Sequence, residues 1–181
     1  MQTTGSNTTN SLITPAYLAE QQRLHATGKY GTASLQFGEI VSNLIDRLNI
    51  RSVLDYGCGS MQNLSKVLRP SHPVDYLGYD PAVAEFSHKE PADLVTCIDV
   101  LEHIEPELLD NVLDDLQSLS PYWSFFTVHT GPAVKVLSDG RNAHLIQQPA
   151  AWWLPKLLQR WDLQTFNASK VGFNVLLRAK K

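Results

Sequence analysis

Apolar and polar residues alternate along this chain in two different periods, and the switch between them divides it into helices and strands. Thr14 followed by Pro15 is a helix-start signal, a hydroxyl cap before a residue whose missing N–H does no harm in a first turn, and it predicts a short helix through Leu24. Gly28 and Gly31 end that segment. From Ser34 to Leu48 the residues Phe37, Ile40, Val41, Leu44, Ile45 and Leu48 recur at steps of three and four, which puts them on one helical face. Short apolar runs then predict strands at Ser52 to Tyr56, Tyr76 to Tyr79, Leu94 to Val100 and Trp123 to Val128. Between them lie a helix carrying Leu64, Val67 and Leu68, a brief helix after Pro81, and one whose Leu108, Leu109, Val112, Leu113 and Leu116 share a face. Residues 150–160 read as helical, and Leu163 to Phe166 with Asn174 to Leu177 read as a closing antiparallel pair. Strands that alternate with helices predict a mostly parallel sheet covered by helices, with an antiparallel C-terminal hairpin.

Composition narrows this picture. The chain has 181 residues, of which 43% are apolar and 18% charged, enough for one globular domain with a sizeable core. Residues 1–11 hold Thr, Asn, Ser and Gly with almost nothing to bury, and are expected to be a disordered tail before a single domain over 12–181. No apolar run reaches the roughly 18 residues of a spanning helix, and the polar N-terminus lacks a signal peptide's pattern, so no membrane association and a cytoplasmic location are expected. Fifteen basic against 18 acidic side chains leave a net charge of −3, which removes the overall basic field of a non-specific nucleic-acid binder. Cys58 and Cys97 are expected to be free, buried thiols.

The chemistry gathers at the strand ends. Val53-Leu54-Asp55-Tyr56-Gly57-Cys58-Gly59-Ser60 closes a strand and opens a helix, and glycines there allow a tight turn and a close ligand approach. A second strand, Tyr76-Leu77-Gly78-Tyr79-Asp80, ends in an acid 21 positions after Gly59, where a ribose-binding carboxylate belongs in such folds. Gln62 occupies the place where a nicotinamide fingerprint wants a third Gly or Ala, which argues against NAD.

The apolar-apolar-Asp-x-Gly-x-Gly form resembles the first motif of the class I S-adenosylmethionine-dependent methyltransferases. Ala92 to Ile104, with Val100-Leu101-Glu102-His103 at its end, resembles the family's fourth strand and the stretch after it, and the resemblance covers about residues 25–181. It implies a Rossmann-like methyltransferase fold, S-adenosylmethionine as cofactor, and methyl transfer to an oxygen or nitrogen of a small acceptor. By the same resemblance Asp55, Gly57 and Gly59 would border the cofactor's methionine part and Asp80 its ribose, with Tyr30 and Gly31 closing the site and Asp99 beside it. The 12 residues between Asp80 and Asp93 leave little room for the family's third strand and adenine-contacting acid, so that strand is expected to be reduced or absent, with Ala82, Val83 and Ile98 as candidate apolar walls.

An oxygen or nitrogen acceptor must lose a proton, and His103, His129 and His144 have suitable intrinsic pKa values. His103, His144 and Glu102 are the favoured catalytic residues. Asp99, Glu102 and His103 with a distal histidine could instead hold a divalent cation, as a similar stretch does in some relatives, although a metal is not the favoured reading. Arg141 is a candidate for an anionic acceptor, and of Trp152 and Trp153 at most one should line a pocket. Two other functions stay open: a non-catalytic, regulatory cofactor-binding protein, and a nucleic-acid methyltransferase. The second is disfavoured because Ser120-Pro121-Tyr122-Trp123, the stretch nearest to a base-methylating motif, precedes a strand instead of following one. The oligomeric state is not encoded legibly.

Overall fold

A computed structural model describes residues 11–28 and 31–180. Among them six strands form one sheet, β1 Ser52–Tyr56, β2 Asp75–Tyr79, β3 Leu94–Ile98, β4 Trp123–His129, β5 Trp161–Ala168 and β6 Gly172–Ala179, in the order β2-β1-β3-β4-β6-β5. The first four are parallel; β6 runs antiparallel to β4, and β5 antiparallel to β6. The helices are α1 Pro15–His25, α2 Gly38–Leu48, α3 Asn63–Val67, α4 Leu109–Leu119 and α5 Ala150–Leu158. The expected fold class is the one observed. None of these helices is long and apolar enough to cross a membrane. Residues 1–10, most of the expected tail, lie outside the described part.

Period-two alternation builds a core on each face of the sheet. On one face Leu54, Val95, Cys97, Phe126 and Val128 meet α4 and α5; on the other Val53, Leu94, Ile98 and Phe125 meet α2. Because both faces are covered, the central strand β3 is buried at every position and reads as an apolar run interrupted only by Thr96. Cys58 and Cys97 are free and buried.

Two expectations need adjustment, and a third, the reduced strand after Asp80, is met. The helix expected over Ser34 to Leu48 begins as a tighter 3-10 segment, Ala33–Phe37, and becomes α-helical only at Gly38, where a Cβ would stand 2.6 Å from the Val67 side chain. β3 ends at Ile98 and not at Val100, because Asp99 adopts a left-handed conformation (φ +50°) that turns the chain out of the sheet. Between Asp80 and Asp93 the chain forms one 3-10 turn, Ala84–Phe86, and no strand, so β2 is a sheet edge.

Strand order reverses between β1 and β3, which opens a crevice at their carboxyl ends. The turn after β1 depends on Gly57: its φ is +81°, and a Cβ there would lie 2.4 Å from Val100 Cγ2. Gly57→Ala is therefore expected to cost at least about 2 kcal/mol, from backbone strain and from overpacking against a stiff β-branched side chain. Urea denaturation checks this; an unchanged midpoint would mean the turn relaxes freely.

Candidate active site

The crevice is a cleft roofed by α1. Its floor is the turn after β1 with Gly57 and the segment after β3 with Val100; Asp80, Pro81 and Ala82 form one end, His103, Ile104 and Glu105 the other, and Tyr17, Gln21 and His25 of α1 close it from above. Asp80 is 6% exposed, and each oxygen accepts one backbone N–H, Oδ2 from Gly59 at 3.0 Å and Oδ1 from Ala82 at 2.9 Å. A carboxylate offers about four lone-pair sites, so two remain for hydroxyls in the cleft. His25 Nε2 lies 3.7 Å from Asp80 Oδ2.

The left-handed Asp99 redirects the chain so that a 3-10 segment, Leu101–His103, follows at the sheet edge of the cleft. Glu102 points inward and is fully buried, with Oε1 accepting the His129 N–H at 2.8 Å. Its Oε2 is buried with no hydrogen-bond partner among the described residues. Burial first, and the nearby Asp99 second, push its carboxyl up to about 8.

Two imidazoles face this carboxyl. His103 Nδ1 lies 2.8 Å from the Ala143 carbonyl and His144 Nδ1 lies 2.7 Å from the Gly131 carbonyl. Carbonyls only accept, so each neutral ring carries its proton on Nδ1 and leaves Nε2 unprotonated. Burial, with His144 alongside, lowers His103 to about 4, and burial also lowers His144. The rings are 4.7 Å apart between centroids, and ligand atoms of Glu102, His103 and His144 all lie within 4.8 Å of one another. Such a set of acceptors around one point is stabilised by a shared proton or by a cation.

The remaining expected site residues distribute as follows. Gly57, Asp80 and His103 meet in the cleft, and Gly59 touches it through Asp80. Asp55 does not line it: buried within the sheet, its oxygens accept from the Tyr76 hydroxyl at 2.7 Å and the Thr96 hydroxyl at 2.9 Å, and desolvation raises it to about 6. Asp99 is held by Thr127, whose hydroxyl accepts the Asp99 N–H at 2.9 Å and bonds its carboxylate. The Gly31 carbonyl accepts from Asn63 at 3.0 Å, and Tyr30 lies outside the described residues. Of the candidate walls Ala82 lines the cleft, whereas Ile98 packs in the core against α2. Arg141 is exposed and paired with Asp139. Trp153 is fully buried, and Trp152 is half-buried under Lys156.

Sequence reasoning missed Gln21 and Asn142. Tyr17, Gln21 and His25 stand four apart on one helix face, a polar stripe where a packed helix would carry apolar residues, and that was the available signal. Asn142 clamps the His144 loop: its Oδ1 accepts from the Ala133 and His144 N–H groups, both at 2.9 Å, and its Nδ2 donates to the Ala133 carbonyl at 2.8 Å.

The fold is shared with solved methyltransferases of low identity. The 1,6-didemethyltoxoflavin-N1-methyltransferase of Burkholderia thailandensis, solved with bound 1,6-didemethyltoxoflavin and S-adenosylhomocysteine, superposes with a TM-score of 0.59 at 14% identity, over 94% of this chain and 92% of that one. An O-methyltransferase family protein from the same organism gives 0.62 at 11% identity, over 95% of this chain and 65% of that one. Magnesium protoporphyrin IX methyltransferase from Synechocystis PCC 6803, with bound SAM, gives 0.56 at 14%, over 93% and 86%. No curated protein sequence matches the chain. Residues 18–176 match the methyltransferase domain family, and that span holds the glycine turn, Asp80 and the histidine cluster alike. The chain belongs to the methyltransferase domain family.

Proposed function

We propose that the protein moves a methyl group from S-adenosylmethionine to an oxygen or nitrogen of a small acceptor. The observation that carries this reading is one cleft with a nearly buried carboxylate, Asp80, at one end and an imidazole, His103, at the other. Asp80 has two free acceptor positions for the ribose hydroxyls, and Pro81, Ala82, Val100 and Val112 supply apolar walls for the base. S-adenosylmethionine, when bound, supplies a methyl on a sulfonium that is displaced in line. The chain's own work is alignment and proton removal. His103 Nε2 accepts the acceptor's proton, while the Ala143 carbonyl holds the ring and its tautomer. Glu102 and His144 stabilise the proton in the cluster, with Asn142 fixing the loop that carries His144.

The convergence of Glu102, His103 and His144 favours a second reading of the same site. A divalent cation held by these three would polarise the acceptor hydroxyl and lower its pKa. The test is transfer of labelled methyl from S-adenosylmethionine to catechols, phenols, aromatic nitrogen heterocycles and a short RNA, each with magnesium or with EDTA. Turnover of one small-molecule class in EDTA supports the proton-cluster reading. A magnesium requirement shifts the assignment to the cation. Cofactor binding without turnover of any acceptor would support a non-catalytic module, and transfer to RNA alone would overturn the small-acceptor reading.

A further inference from the structure

The α1 roof carries a buried amide for which no described residue provides a partner. Tyr17 and Gln21 are 4% and 8% exposed, and Gln21 Nε2 is buried with no acceptor among the described residues. The helix is pinned at both ends of the cleft. The Tyr17 hydroxyl donates to the His103 carbonyl at 2.8 Å, and one turn beyond Gln21 the His25 ring reaches Asp80. Gln21 therefore faces the middle of the cleft, between the end assigned to ribose and the end assigned to proton transfer. A buried amide left unpaired is uncommon in a native protein and finds its justification in a ligand that completes it.

The neighbouring turn leaves this role vacant. Glycine turns at strand ends receive anions on their N–H groups, yet here Gly57 and Cys58 both donate to the Tyr79 carbonyl, at 2.7 and 3.0 Å, and Gly59 donates to Asp80. No lysine or arginine is among the described residues that line the cleft. Arg23, on the same helix, is tied to Glu20 at 2.7 Å. The cofactor's amino-acid end carries a carboxylate that must be desolvated when the cleft closes. We infer that Gln21 donates its side-chain N–H to that carboxylate, so that the lid helix itself selects a cofactor with an intact amino-acid end. This inference rests on the S-adenosylmethionine reading above.

The experiment is calorimetric titration of S-adenosylhomocysteine and of its decarboxylated analogue, which keeps the thioether and the amine, into the wild type, Gln21→Met and Gln21→Glu. Methionine keeps the length and removes the donor. Its affinity for S-adenosylhomocysteine is expected to fall about tenfold or more, the scale of a hydrogen bond to a charged group, with the analogue changed by less than about twofold. Glutamate places like charge against the carboxylate and is expected to reverse the preference in favour of the analogue. A melting scan of each variant without ligand confirms that it is folded. Equal losses for both ligands, or unchanged affinity for both, would overturn the inference while leaving the cofactor reading intact. If the folded wild type binds neither ligand, the cofactor reading falls and takes this inference with it.

Discussion

An Asp80→Ala variant is expected to bind S-adenosylmethionine and S-adenosylhomocysteine at least about 100-fold more weakly than the wild type. Two hydrogen bonds from ribose hydroxyls to a nearly buried carboxylate are at stake, each worth about 1.5–3 kcal/mol. The same substitution leaves the Gly59 and Ala82 N–H groups without acceptors, so a smaller loss of fold stability, about 1–3 kcal/mol, accompanies it. Asp80→Asn separates the two effects. It keeps one carbonyl oxygen for a backbone donor and replaces the other by an amide nitrogen that a ribose hydroxyl cannot donate to. Its affinity should lie between the wild type and the alanine variant. Equal affinity in all three proteins would remove Asp80 from the cofactor site.

Glu102→Gln should do the opposite to stability from what it does to activity. In the folded protein the Glu102 carboxyl titrates near 8, well above the ordinary carboxylate value of 4.5. Between those two values the folded state holds a proton that the unfolded state has released, so stability contributed by this group is present at low pH and lost as pH rises towards 8. Glutamine has the same shape, keeps an oxygen for the His129 N–H, and offers N–H donors to the unprotonated Nε2 atoms without any charge to desolvate. The variant is therefore expected to gain about 1–3 kcal/mol at pH 8.5 and almost nothing at pH 4, read by urea unfolding at the two pH values. Turnover should fall about 10²- to 10⁴-fold, the range of a positioned acid–base group, because the proton taken up by His103 loses the carboxylate that stabilises it and a cation would lose a ligand. Loss of stability at pH 8.5, or full activity, would place Glu102 outside the chemistry. A residue that lowers stability where it stands is what a functional site is expected to contain.

These two side chains were accessible from the sequence to different degrees. Asp80 was legible because it closes an apolar strand a fixed interval after a glycine turn, and both features are local. The missing strand was legible for a similar reason, since 12 residues between Asp80 and Asp93 have no room for it. The strands and the larger helices followed from periods of two and 3.6, which report which face is buried and nothing about what a polar side chain meets. Glu102, His103 and His144 could be named as candidates, yet their convergence depends on the aperiodic loop from Gly131 to His144 and on the Asn142 clamp that shapes it. Asp55 shows the limit from the other side. Its motif position suggests the ligand, but the strand's alternation turns it towards Tyr76 and Thr96. Gln21 was missed because a short polar helix reads as solvated until the cleft beneath it is known.

Everything proposed for this protein requires that the cleft between Asp80 and His103 take S-adenosylmethionine. The direct measurement is calorimetric titration of S-adenosylmethionine and S-adenosylhomocysteine into the unmodified protein, paired with its melting temperature at the same ligand concentrations. Saturable binding of one molecule per chain is expected for both ligands, with a melting temperature that climbs with ligand concentration. A folded protein that gives no binding heat and no shift in melting temperature with either ligand would contradict it.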